Sequence, residues 1–237
     1  MAPDISATTT LDPAVPAASD DLYEVARDCM VNSQIRPNRV NDPRIIAAMR
    51  RLPREQFLPE SVRHLAYVDE DIPLGNGRFM IEPMVLARML QAAQLQDNER
   101  VLVVAAGAGY GAAVLDACGC KVFALEDDPD LIRLARTVLP QVAPDVTLVT
   151  GPLAEGCPAE GPYDLIVIEG AVPTIPPHLA NQLSPHTGRV IGILCGDGRI
   201  TQAVMGDKTP AGLRSYTLFD CATPVLPSLQ PAPEFRF

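Results

Sequence analysis

The 237-residue chain carries 19 basic against 29 acidic side chains, a net charge of −10 and a pI near 4.7. That balance leaves no basic footprint of the kind nucleic-acid binding requires, and it disfavours anionic membrane surfaces. Hydrophobic residues make up 47%, enough for a sizeable core in one domain, or in one domain with an appendage.

Residues 1–19 are Ala, Thr, Pro and Ser with a few acids, and read as a disordered tail. No basic region precedes an apolar stretch there, so a secretory signal is not expected. The longest uncharged run, Val101–Leu115, is shorter than the ~18 residues that span a bilayer. Six cysteines are scattered without CxxC or histidine-spaced pairs, which points to thiols in a reducing cytoplasm, not to disulfides or a metal. Cys118 and Cys120, the one close pair, read as packing beside a strand. His64, His178 and His186 lie in segments without metal spacing.

Asp20 and Asp21 can cap a helix to about Met30, with Leu22, Val25, Ala26 and Cys29 on one stripe. Asp42-Pro43 opens a second helix with Ile45, Ile46, Met49 and Leu52 facing inward. Residues 53–65 suit a short helix or turn. Residues 66–74 form an acidic extended segment, and Gly75-Asn76-Gly77 a loop. The run Asp69-Glu70-Asp71 reads as solvated. Pro83 leads a helix over Met84–Ala93, with Val85, Met89, Ala92 and Ala93 inward and Met80, Met84 and Met89 as core.

Residues 99–131 form one strand–turn–helix–strand unit. Arg100–Ala105 is a short apolar run suited to a strand buried on both faces. Gly107, Gly109 and Gly111 follow, and glycine permits φ > 0 and close approach of a ligand. A helix over Ala112–Ala117 and a strand over Lys121–Leu125 come next. The strand ends on Glu126, 17 residues after Gly109, about where a carboxylate meets a ribose. Asp128-Pro129 caps a helix to about Val138. Strands follow at Val146–Thr150, Tyr163–Ile168 and Gly188–Leu194, with a helix over Pro176–Leu183. Two further strands, Ile200–Met205 and Ser215–Ala222, are joined by a turn containing Gly206, Asp207, Lys208 and Pro210. The order predicts an α/β fold: a doubly wound, mostly parallel sheet with an antiparallel edge, plus N-terminal helices.

Residues 107–112 fit G-x-G-x-x-A, the dinucleotide fingerprint, and fit equally the looser turn of an S-adenosylmethionine site. A dinucleotide fold normally begins with its glycine strand. Here about 80 residues with helices precede it, and an antiparallel pair closes the chain, as in methyltransferases.

Several motifs, in order and at matching separations, carry a family resemblance. They are Met30…Gln34-Ile35, residues 53–59 (Pro-Arg-Glu-Gln-Phe-Leu-Pro), Ala66-Tyr67, and residues 71–77 (Asp-Ile-Pro-Leu-Gly-Asn-Gly). A Pro-led helix, Val101–Tyr110, residues 163–167 (Tyr-Asp-Leu-Ile-Val), Pro173-Thr174-Ile175-Pro176-Pro177 and Leu183 complete the set. From about residue 22 to 195 the chain resembles the protein-L-isoaspartate O-methyltransferase family. The resemblance implies the Rossmann-like methyltransferase fold and S-adenosylmethionine as cofactor. It also implies methyl esterification of isoaspartyl carboxylates in damaged proteins, hence a protein or peptide acceptor. The division it suggests is a tail at 1–19, a helical subdomain at 20–80 and a methyltransferase domain at 81–237, in a cytoplasmic protein.

Mapped onto the family, the cofactor would lie against Ala105, Ala106, Gly107, Gly109, Tyr110, Glu126, Pro152, Leu153 and Glu169, with Ile81, Glu82 and Glu169 at the acceptor. Departures fall on this site. The family's leading glycine is Ala105, and its acid two residues earlier is Val103. The adenine-binding aspartate is Pro152, with Glu155 nearby as a substitute. The acceptor-loop hydroxyl is Ile81, with Glu82 beside it. If Glu82 and Glu169 both faced the pocket they would repel an isoaspartyl carboxylate. Two alternatives therefore accompany the enzyme reading: a lapsed methyltransferase serving as a binding or regulatory module, and an enzyme with a different acceptor.

Overall fold

The computed structural model describes residues 20–195 and 200–230; the tail expected at 1–19 lies outside them. Its centre is a seven-stranded sheet of order β5-β4-β3-β6-β7-β8-β9. The five strands β3 (Arg100–Val104), β4 (Lys121–Glu126), β5 (Thr147–Thr150), β6 (Leu165–Val172) and β7 (Arg189–Cys195) are mutually parallel. β8 (Thr201–Thr209) and β9 (Gly212–Cys221) add the antiparallel edge. This is the Rossmann-like methyltransferase architecture, with the chain reversing direction from β3 outward to β5 and then to β6.

Side chains of a strand alternate between faces, and the core divides accordingly. Val101 and Val103 of β3 join the apolar cluster formed with α2 (Pro43–Arg51), α3 (Pro83–Ala92), α4 (Tyr110–Ala117) and α5 (Pro129–Val142). Leu102 and Val104 join a second cluster on the other face with Phe123, Tyr163 and Leu179, the last from α6 (Pro177–Asn181). Asp42 caps α2 through Arg44 N–H at 2.8 Å, and Asp128 caps α5 through Asp130 and Leu131 N–H at 2.8 and 3.1 Å. Both helices carry proline at the start, where its missing N–H is harmless. Cys118 and Cys120 are buried, and that burial pushes their thiols up to about 11 and 12. No helix among the described residues is long and apolar enough to cross a membrane.

Three expectations are corrected. The apolar stripe of α1 (Asp20–Met30) does not face inward: Leu22 and Val25 are 60% and 61% exposed. Its orientation is set from the other side, where Met30 is buried and Arg27 donates to the Tyr67 hydroxyl at 2.9 Å. Tyr67 in turn donates a short bond to Glu55. Second, of the extended segment expected over 66–74 only β1 (Ile72–Gly75) is a strand, and the expected loop is the turn that pairs it with β2 (Arg78–Met80) as a hairpin. Third, Gly206, Asp207 and Lys208 belong to β8, so the turn falls on Pro210 and Ala211. Smaller differences lie at α5, which runs on through Pro140 to Val142, and at β6, which extends to Val172.

Ala105, directly after β3, adopts φ = +62°, the conformation expected of glycine. The left-handed geometry costs an L-residue about 1–2 kcal/mol. Against that, its buried methyl recovers about 0.8 kcal/mol, and alanine avoids the ~0.5–1 kcal/mol by which glycine's freedom favours the unfolded chain. The terms nearly cancel. Urea unfolding of Ala105→Gly should accordingly give a stability within about 1 kcal/mol of the parent. Ala105→Val, a β-branched residue forced to the same φ, should lose more than about 2 kcal/mol.

Candidate active site

The turn after β3 brings the glycine motif against the end of β4. Gly107 and Gly109 have φ of +60° and +99°, and Gly109 N–H closes the turn on Ala106 O at 2.8 Å. Gly109 O then accepts from Ala113 N–H and starts α4. Gly107 N–H donates to Glu126 Oε2 at 2.7 Å, so the turn and the acid are one unit.

Glu126 is fully buried, and both of its oxygens are engaged. Oε1 accepts from Asp127 N–H and Asp128 N–H, each at 2.9 Å. Arg78, 3% exposed, places Nη1 2.5 Å from Oε1 and Nη2 2.8 Å from Oε2, a two-pronged ion pair. Nη1 also reaches Asp127 at 3.2 Å. The hairpin that delivers Arg78 is tied down a second time by Asn76, whose Nδ2 donates to Asp128 at 2.8 Å.

Glu169 sits where the β6–β7 register slips between Val167 and Ala171, next to Gly170 at φ = +152°. Such a bulge re-aims a side chain. Glu169 is turned onto Gly111 of α4, where a Cβ would lie 1.7 Å from Oε1. The third glycine of the motif is therefore the notch for this carboxyl. Burial pushes Glu169 up to about 8; the Glu126 charge adds to the rise, while Arg54 and Arg78 oppose it. Arg54 is wholly buried: Nε donates to Ala66 O and Nη2 to Ile81 O, both at 2.8 Å, and its guanidinium stacks 4.7 Å from the Tyr110 ring centre. Arg54 Nη1, Tyr110 Oη and Glu169 Oε1 have no hydrogen-bond partner among the described residues.

The remaining candidates are dispersed around this centre. The Ile81 side chain is buried, and its carbonyl is what Arg54 holds. Glu82 is the residue before α3, where its N–H donates to Asp71 at 2.8 Å and its carboxyl caps nothing. Burial first, then Asp71, Asp69 and Glu70, push Glu82 up to about 7. The acids that raise Glu82 are Asp71, Asp69 and Glu70, whereas the one that raises Glu169 is Glu126. Pro152 and Glu155 are exposed, whereas Leu153 is buried in the apolar cluster that also holds Ala105 and Leu226. Leu226 fills the space above Gly170, where a Cβ would lie 2.5 Å from its side chain.

Arg78 and Leu226 were not among the residues singled out from sequence. The available signal for Arg78 was a lone base directly after Gly75-Asn76-Gly77 in an acidic stretch. The donor set fits S-adenosylmethionine in kind. A carboxylate ends β4, a turn with three left-handed residues, Ala105, Gly107 and Gly109, faces it, and the buried Leu153 follows β5. One side chain, Arg78, stands on the carboxylate that ends β4.

Comparison with known proteins agrees with this geometry. Residues 26–210 match the family described as protein-L-isoaspartate(D-aspartate) O-methyltransferase. A protein-L-isoaspartate O-methyltransferase from Koribacter versatilis is 35% identical over 86% of this chain and 93% of its own length. One from Rhodopseudomonas palustris is 40% identical over 71% and 70%. A solved protein-L-isoaspartate O-methyltransferase superposes with a TM-score of 0.76, at 23% identity over 86% of this chain and 67% of its own. A Plasmodium falciparum structure described as a putative member with S-adenosyl-L-homocysteine gives 0.70, at 18% identity over 85% and 98%. On the extent of these matches, the chain belongs to the protein-L-isoaspartate O-methyltransferase family.

Proposed function

We propose that this chain transfers a methyl group from S-adenosylmethionine to the free carboxylate of L-isoaspartyl residues in proteins. The observation that carries the reading is Glu126, held against the glycine turn by Gly107 N–H at the end of β4. When bound, the cofactor supplies a methyl group already activated by its sulfonium. The carboxylate oxygen of the acceptor takes that methyl as the carbon–sulfur bond breaks, and the products are a methyl ester and S-adenosylhomocysteine. No base is needed, because the acceptor carboxylate is ionised at neutral pH, and the protein's work is alignment.

In this scheme Glu126 accepts from the ribose hydroxyls, the backbone of 105–109 lies along the methionine end, and Leu153 offers an apolar surface to the adenine. Arg54 fixes the Ile81 carbonyl and so holds the acceptor loop without the hydroxyl that Ile81 replaces. Glu169 does not repel the acceptor at neutral pH. Raised to about 8, it is protonated there and is a donor, not a second negative charge, beside the acceptor. Free cysteines and the net negative charge support a cytoplasmic setting.

Labelled S-adenosylmethionine and an isoaspartyl peptide test the activity directly. Base-labile label should enter the isoaspartyl peptide and not its aspartyl isomer; equal labelling of both, or none, would refute the acceptor. Glu126→Gln should lower kcat/KM about 10–100-fold, the worth of a hydrogen bond to a charged group.

Glu169 gives a pH signature. Transfer should fall as pH rises through about 8, and Glu169→Gln should abolish that fall while keeping the neutral-pH rate within a few-fold. Melting curves check the same group. Between about 4.5 and 8 the folded state holds a proton that the unfolded state has released, so Glu169 makes stability decline with rising pH across that window. Glu169→Gln should flatten the slope and raise Tm above pH 8 by about 10 °C or more.

A further inference from the structure

The carboxylate read above as the ribose acceptor has no free lone pair. A carboxylate offers about four acceptor positions, and Glu126 receives Gly107, Asp127 and Asp128 N–H together with both terminal nitrogens of Arg78. A guanidinium edge and a vicinal diol present the same thing to a carboxylate: two parallel donors. We infer that Arg78 is the protein's own stand-in for the ribose diol, and that it sets cofactor affinity by competing for Glu126. The inference rests on the functional reading above.

The hairpin that delivers Arg78 forms a cover held at its base by the buried Ile72 and Met80. It enters on the three-residue strand β2, paired only to the four-residue β1 in a separate two-stranded sheet. The turn between them, Gly75-Asn76-Gly77, has φ of +98°, +51° and +73°, and Asn76 and Gly77 are exposed. Besides Arg78, the hairpin meets the site through Asn76 on Asp128 and through Leu74, whose Cδ1 is 3.6 Å from where a Gly107 Cβ would stand. Arg78 Nε is buried without a partner among the described residues, so the guanidinium is not satisfied all round where it lies. If Arg78 leaves, Glu126 keeps three backbone donors and remains hydrogen-bonded.

A ligand that needs the open state binds with its intrinsic Kd divided by the open fraction. Weakening the cover therefore tightens binding. Titration calorimetry of the full chain with S-adenosylhomocysteine tests this, comparing the parent with Arg78→Met and Asn76→Ala. Hydrogen exchange of residues 72–80 is read in parallel with and without the ligand. Arg78→Met should tighten Kd at least tenfold and Asn76→Ala several-fold, and the hairpin amides of the parent should exchange faster once ligand is bound. Asn76→Ala leaves the buried pair intact, so it decides the matter even if Arg78→Met fails to fold. Equal or weaker binding by folded variants, or hairpin protection that is unchanged or increased on binding, overturns the competition while leaving the cofactor reading standing. Absence of binding by every variant at millimolar ligand overturns both.

Discussion

The buried carboxylate of Glu126 is the point on which the local structure turns. Five donors from three separate pieces of chain meet there: the glycine turn, the link between β4 and α5, and the hairpin. An ionised carboxylate in the interior is tolerated only when its lone pairs are filled and a counter-charge is close, and removing one partner of such a pair costs about 3–5 kcal/mol. The requirement fixes the turn, because Gly107 must present its N–H inward, and it draws in the hairpin, because Arg78 is the only cation within salt-bridge reach of Glu126 among the described residues. The acid proposed for the ribose is thereby also the acid that ties the glycine turn to the hairpin.

A second buried charge does comparable work on the N-terminal side. Arg54 joins the carbonyls of Ala66 and Ile81 and stacks on Tyr110, whose ring also meets Phe57 edge-on at 5.5 Å. The segments before the sheet are thus tied to the glycine helix by one guanidinium. Burial lowers its pKa, yet an arginine stays protonated, so these ties persist across the pH range in which Glu169 changes charge.

Much of the architecture was legible because it follows from periodicity and punctuation. Continuous apolar runs marked β3 and β4, and cap-then-proline pairs marked α2 and α5. The order of strands and helices marked a parallel sheet with an antiparallel edge. The hairpin escaped because its strands are four and three residues long, too short for alternation to show. The sequence put Glu169 just past a strand ending at Ile168, whereas it lies inside β6, and its state was not readable: a bulge and a glycine notch on another helix decide it, and neither has a local signature. Glu82 illustrates the converse. Its neighbours Asp69, Glu70 and Asp71 were visible as a charge run, but that the chain folds them against Glu82 was not. Ala105 is a substitution whose cost was legible and whose compensation, a buried methyl, was not.

The segment after β9 bears on how the molecule is made. Ala171 N–H donates to Pro224 O at 3.1 Å and Leu226 N–H returns to Ala171 O at 2.8 Å, so this segment runs parallel to β6 beside its bulge, with Leu226 seated over Gly170. On the ribosome, β3, β4 and β6 are all synthesised before it. The wall next to Glu169 therefore closes only after residues 224–226 have been made, later than the strands it lies against. A chain cut before residue 224 can possess the sheet and the glycine turn and still lack this wall, so the crevice beside Glu169 depends on a segment far from it in sequence.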